Sequence, residues 1–306
     1  MIANFFKKTK PIHAIFISAL FLVYYILAIL IVEKPLFSLG LVLKKVGFLF
    51  FFLILFFLVR FINRKNQLSE LNSYVLLILA ILFGIFPKTM EIHNIFYAHF
   101  FLLLSFRRIY SLKTNKNIKE KLFDSGLWVG VATLFYSWSF LFIILVFTAI
   151  FIRKKQELRN LIIPIIGYAT PLFIIVVYYF MTDNSFVFYQ KLILDYSFSF
   201  NEYTHINRLT LIGLIAFLVI AISIVSVKIN SLKNDLKSSW ILIIIHFLIS
   251  VSFVIVAPQK KGTEIIMIFF PSVIISANLL QLIDKMIVRE VIVLGFLAVS
   301  FSLYFL

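Results

Sequence analysis

The chain has no cysteine, so it forms no disulfide and offers neither a thiolate metal ligand nor a cysteine nucleophile. Acidic residues are few: 13 Asp and Glu stand against 29 Lys and Arg in 306 residues, and only 14% of the chain is charged. Water-soluble domains carry about 25% charge. Glycine (9) and proline (7) are scarce as well. There is no Walker loop, no glycine-rich turn after a strand and no locally spaced Ser, His and acid set, which argues against soluble-nucleotide and serine-hydrolase chemistry. No histidine pair stands at i and i+4 on one helical face, since His93 and His99 lie six apart and point to different faces. His13 and His246 stand alone at or inside apolar runs, where a helix-packing hydrogen bond is the ordinary role and a functional ionisable group is the alternative. No metal and no cofactor is expected.

What is present is apolar surface: 62% of residues are hydrophobic and mean hydropathy is +1.07. A single soluble core cannot bury that much, whereas runs of about 20 apolar residues each span a bilayer. Such runs cover 12–32, 46–62, 73–87, 92–106, 122–152, 161–181, 209–227, 239–257, 265–283 and 291–306. They lack the alternation of barrel strands, so helices are the remaining way to satisfy the backbone in hydrocarbon. The sequence therefore predicts an all-α, polytopic transmembrane helical bundle of about 10–11 membrane helices, one integral membrane domain over 1–306. The net charge of +16 marks cytoplasmic loops in such a protein and does not point to nucleic acid.

Residues 1–10 are short and basic, and the apolar stretch 12–32 is too long for a signal-peptide core and lacks a small-residue cleavage site, so it is expected to stay as the first span. Stretch 122–152 decides the topology. It is long for one span, short for two, and broken at Tyr136-Ser137-Trp138-Ser139. Arg107, Arg108, Lys113, Lys116, Lys119 and Lys121 precede it, and Arg153, Lys154, Lys155 and Arg159 follow it. Both ends therefore read as cytoplasmic, and 122–152 reads as a short-helix hairpin that either crosses or is re-entrant. Such a hairpin is also a candidate wall of an internal site. The expected frame is a bacterial cytoplasmic (inner) membrane with a cytoplasmic N-terminus and an outer C-terminus. Outer loops then fall at 33–45, 88–91, 137–139, 182–208 and 258–264. Segment 183–208 mixes aromatic and polar residues and reads either as an interfacial helix or as an ordinary aromatic belt. Segment 33–45 has enough apolar residues to lie along the outer surface. No internal repeat supports an inverted-repeat transporter.

The candidate chemistry consists of charges at outer membrane ends: Glu33, Lys34, Lys44, Lys45, Glu91, Lys260, Lys261 and Glu264. Lys260 and Lys261 run against the cytoplasmic bias while adjoining a span, which suits ammonium groups that hold a lipid phosphate. The alternative is a solvated loop at the headgroups. Glu33 ends the first span and is a candidate general base for a hydroxyl acceptor, or else a surface carboxylate paired with Lys34. Pro164 and Pro171 share a face with Gly167 between them, and Pro271 interrupts the run after Lys261; these read as kinks, with or without a cavity.

Four stretches, AHFFLLLSFRRIYSL (98–112), KLFDSGLWVGVATLFYSWSFLFIILVF (121–147), LRNLIIPIIGYATPLF (158–173) and KKGTEIIMIFFPSVIISANLL (260–280), together resemble an uncharacterised family of flavobacterial multi-pass membrane proteins. Their order is also similar to the scaffold of the C-superfamily polyprenyl-phosphate-sugar glycosyltransferases. That resemblance implies an outward cavity for a polyprenyl-phosphate-linked sugar, an acid in the first outer loop at Glu33 and a second at Glu91. It places Lys260, Lys261 and Glu264 where a basic or aromatic motif enters a proline-containing helix. The partners implied are membrane lipids and a lipid-linked sugar. The alternative is a non-catalytic membrane subunit that binds other envelope proteins or lipids. A transporter is disfavoured by the near absence of acids inside spans.

Overall fold

The structure is a computed structural model that describes residues 2–33, 38–184, 194–229, 234–258 and 260–305. Among the described residues the fold is all-helical, without a strand. The helices are α1 (Ile2–Phe6), α2 (Pro11–Leu27, extended by a π turn Ala28–Glu33), α3 (Leu39–Asn66), α4 (Tyr74–Ile85), α5 (Asn94–Ser111), α6 (Ile118–Phe135), α7 (Ile143–Ile152) and α8 (Leu158–Met181). They continue with α9 (His205–Ile229), α10 (Asn234–Val256), α11 (Ile266–Leu282) and α12 (Met286–Ser302), and tight 3-10 turns stand at Pro87–Met90, Ser137–Phe142 and Thr263–Ile265.

Six helical stretches among the described residues are long and apolar enough to cross a membrane: Pro11–Glu33, Leu39–Asn66, Leu158–Met181, His205–Ile229, Leu236–Val256 and Thr263–Leu282. The protein is thus a polytopic helical bundle. The other expected spans are shorter, as with the 12 residues of α4, or carry charge at an end, as α5 does at Arg107 and Arg108. Helix starts follow local chemistry. Pro11 sits where a missing N–H costs nothing, and Ser38 Oγ accepts from Leu41 N at 3.2 Å to cap α3. Residues 39–45 form the first turns of α3 and are exposed apart from Leu41 and Lys45, while 34–37 lie outside the described residues. In segment 183–208, residues 185–193 lie outside the described residues and 194–200 have no regular structure.

The chain divides into two compact units. The first comprises Met1–Ile92, Phe200–Ser231 and Lys260–Leu306. Its centre is α4 with α11, which bury Leu77–Ile85 and Ile266–Ala277 without interruption. A helix apolar on all sides belongs inside a bundle. Accordingly α2, α3 and α12 pack on α4, and α9 packs on α11. Phenylalanine rings link the layers: Phe21 to Phe52 at 5.2 Å, Phe52 to Phe83 at 5.2 Å and Phe83 to Phe269 at 5.1 Å between centroids. Each such pair adds about 0.5–1.5 kcal/mol beyond its buried area. The outward face of α3 exposes Phe50 and Phe57, as suits a helix face turned to acyl chains.

The second unit comprises His93–Ser199 and Leu232–Gln259, with α6 packed between α5 and α8. The buried residues of α8 are Asn160, Pro164, Gly167 and Pro171, one narrow seam. Opposite it stand Gly126 and Gly130 of α6, the small-xxx-small spacing that lets membrane helices approach backbone to backbone. A Cβ on Gly126 would fall 2.1 Å from the Pro164 carbonyl oxygen, and one on Gly130 would fall 2.4 Å from that of Tyr168. On the other side, a Cβ on Gly167 would fall 2.3 Å from the Phe123 carbonyl oxygen. The prolines of α8 therefore face a helix contact. The apolar run 122–152 breaks where the sequence does: α6 ends at Phe135, Tyr136 is extended and a 3-10 turn leads into α7. At that break Trp138 Nε1 donates to the Asp195 carbonyl at 2.7 Å.

Candidate functional site

Three tight turns of the first unit come together: the π turn ending at Glu33, the Pro87–Met90 turn and the Thr263–Ile265 turn. Each ends or begins a helix, so their charges collect at one end of the α4–α11 core. Lys45, nearly two turns into α3, donates from Nζ to Glu33 Oε1 at 2.6 Å and also bonds Oε2. The pair is largely buried, with 11% and 17% of its two side chains exposed. Tyr25 OH holds the Lys45 carbonyl at 2.9 Å. The partner of Glu33 is thus Lys45; Lys34 lies outside the described residues.

Glu91 follows the second turn, its N–H bonded to the Lys88 carbonyl at 3.1 Å. Burial raises its proton affinity above the usual carboxylate range, the neighbouring charge of Glu33 raises it further, and Lys88, Lys45 and Lys261 oppose the shift. Glu33, Glu91 and Lys261 therefore share one electrostatic cluster. Lys88 belongs to it as well: its Cδ lies 3.5 Å from where a Cβ on Gly262 would stand. The sequence reading passed over Lys88, although its spacing of three from Glu91 puts both in one turn.

Lys260 has a different setting from Lys261. Lys261 is exposed, whereas Lys260 is only 1% exposed, with Nζ 4.6 Å from the Phe200 ring centre. Burial holds its ammonium below the usual lysine range, against the pull of Glu264 and Glu202. Glu264 is wholly buried. It accepts from Tyr203 OH and, through Oε2, from Gly262 N at 3.0 Å. Gly262 has φ +94°, a conformation that favours glycine. Arg208 Nη2 donates to the Phe200 carbonyl at 3.0 Å. Lys260 and Glu264 thus fasten segment 200–203 to the 260–265 turn, and Lys261 faces outward beside Lys88 and Glu91.

Three histidines take packing or capping roles. His13 Nδ1 lies 3.0 Å from Ser73 Oγ, and His246 Nδ1 lies 3.0 Å from Tyr110 OH. His93 caps α5, its Nδ1 accepting from Ile95 N at 3.3 Å. Among the described residues no three His, Asp or Glu side chains gather as a metal site.

Fold and site define a multi-pass, all-helical membrane protein. More narrowly, a family model described as "Family of unknown function (DUF6427)" matches residues 1–306, and the chain belongs to that family. No curated protein and no solved structure matches it.

Proposed function

We propose that the chain is a bacterial inner-membrane protein, with a cytoplasmic N-terminus, whose three-turn cluster receives an anionic lipid-linked phosphate. In its catalytic form the reaction is transfer of a sugar from a polyprenyl-phosphate-linked donor to a hydroxyl acceptor on the outer side. The observation that carries this reading is the shared cluster of Glu33, Glu91, Lys45, Lys88 and Lys261. A half-buried carboxyl with raised proton affinity suits a general base. Glu91 is that base, and Glu33, held by Lys45, supplies the negative charge that keeps the Glu91 proton affinity high. Lys88 and Lys261 hold the phosphate as point charges. Lys260 is a positioning residue that fixes the loop bearing Lys261.

The test is sugar transfer by the purified protein from a polyprenyl-phosphate-sugar donor. Glu91→Gln is expected to abolish transfer while donor binding persists; Lys88→Ala with Lys261→Ala is expected to raise KM at least ten-fold. Full activity in Glu91→Gln refutes the base assignment.

A second reading, a non-catalytic subunit of an envelope complex, is favoured by the internal partners of Glu33, Lys260 and Glu264, which satisfy much of the cluster without a substrate. It requires a defined complex after mild-detergent purification. Recovery of the protein alone removes its main support.

A further inference from the structure

The first unit carries a second basic recess at its other end. Pro11–Glu33 is 23 residues long, or about 35 Å at 1.5 Å per residue, so the start of α2 lies a membrane thickness from Glu33. Here Lys10, Arg60, Arg64, Glu70, Asn72 and Ser73 line one recess, formed by the start of α2, the end of α3 and the 70–73 turn. Arg60 and Arg64 are four apart on α3 and so share a face. Among the described residues neither they nor Lys10 forms an ion pair.

The polar groups in the recess point to the charge of what it takes. Asn72 Oδ1 accepts from Tyr74 N at 3.0 Å, which fixes the amide and turns Nδ2 away from that bond. Asn72 Nδ2 is buried and has no hydrogen-bond partner among the described residues. A buried donor without an acceptor is costly, and native proteins rarely leave one so. Ser73 is already engaged, with Oγ 3.0 Å from His13 Nδ1 and donating to the Lys8 carbonyl at 3.2 Å. Three cations and an orphaned amide donor surround the recess, against one carboxylate, that of Glu70. Nearby, Ile12, Ile15 and Leu71 are exposed apolar residues, a surface on which acyl chains can lie.

We propose that the mouth of this recess binds a phosphate group, held by Arg60, Arg64 and Lys10, with one phosphate oxygen entering the 20 Å³ interior toward Asn72 Nδ2. Arg60 and Arg64 supply planar forks matched to phosphate oxygens. The phosphate belongs either to an acidic phospholipid headgroup or to a free anion. The site is separate from the three-turn cluster and stands whether or not that cluster is catalytic.

The test uses the full chain in detergent. Native mass spectrometry with added phosphatidylglycerol or phosphatidylcholine reads lipid retention, and thermal unfolding with inorganic phosphate reads the free anion. The expected result is preferential retention of phosphatidylglycerol, lost at least ten-fold in Arg60→Ala/Arg64→Ala. It is weakened to a lesser degree in Arg60→Lys/Arg64→Lys, which keeps the charge and serves if the alanine variant fails to fold. Lys116→Ala/Lys119→Ala, an equal charge change on the second unit, is expected to retain the lipid. Stabilisation by inorganic phosphate without lipid preference assigns the site to a free anion. Equal retention in every variant reduces the lipid effect to bulk surface charge and overturns the proposal, as does indifference to both probes.

Discussion

The α6–α8 seam yields a sharp expectation for Gly126→Ala. The added methyl carbon would stand 2.1 Å from the Pro164 carbonyl oxygen, whereas weak C–H···O contacts settle at about 3.3 Å. The helices must therefore separate by about 1 Å. The obstructing atom is backbone on a helix that Pro164 and Pro171 already constrain, so no rotamer change relieves the clash. Overpacking of this kind costs about 1–3 kcal/mol, and the rigidity of the seam puts Gly126→Ala at the upper end. Alanine returns about 0.5–1 kcal/mol through helix propensity, which leaves a net loss of about 2 kcal/mol. Gly295 on α12 is the internal control: nothing lies within 4 Å of its added Cβ, so Gly295→Ala is expected to be neutral or slightly stabilising. Both variants can be compared by SDS-induced unfolding of the detergent-solubilised chain, followed by circular dichroism. If Gly126→Ala is as stable as Gly295→Ala, close backbone approach is not what holds α8.

Three further outcomes follow from the charged turns. Lys45→Met leaves Glu33 largely buried without its cation and should cost about 3 kcal/mol or more; adding Glu33→Gln should recover most of it, as a double-mutant cycle in unfolding would read. Tyr203→Phe removes a hydrogen bond to the buried Glu264 carboxyl, an expected loss of about 1.5–3 kcal/mol, and unchanged unfolding would contradict the anchoring role. As the proposed general base, Glu91 works in its deprotonated form. Because burial and then Glu33 raise its proton affinity, the acid limb of the pH profile should lie above the ordinary 4.5. Removing the like charge with Glu33→Gln should move that limb to lower pH, and an unmoved limb would sink the coupling of the two carboxyls.

Class and helical architecture were legible because hydrocarbon leaves the backbone so few choices. The break at Tyr136 was legible too, since polar Ser137 and Ser139 interrupt an otherwise apolar run. Pairing was less so. The adjacent Lys34 was the obvious candidate for Glu33, yet the ion pair goes to Lys45, twelve residues on, because Ser38 starts α3 early and swings that side chain back. The Tyr203–Glu264 and Phe200–Lys260 contacts join residues about sixty apart, with no local pattern to announce them. The GLWVG spacing of Gly126 and Gly130 carries a signal of close helix packing, since two of only 9 glycines in the chain stand four apart.

Proline has a further effect within α8. Pro164 and Pro171 have no amide hydrogen to give, so the oxygens of Asn160 and Gly167, four positions earlier, lose their intrahelical donors. Those two residues are themselves on the buried stripe. The helix thus keeps its under-bonded oxygens on the side turned toward a neighbouring backbone, away from the broad apolar remainder that carries Phe173 and Phe180 outward. Rotating α8 by half a turn would aim those two oxygens at acyl chains, where an unsatisfied carbonyl is costly.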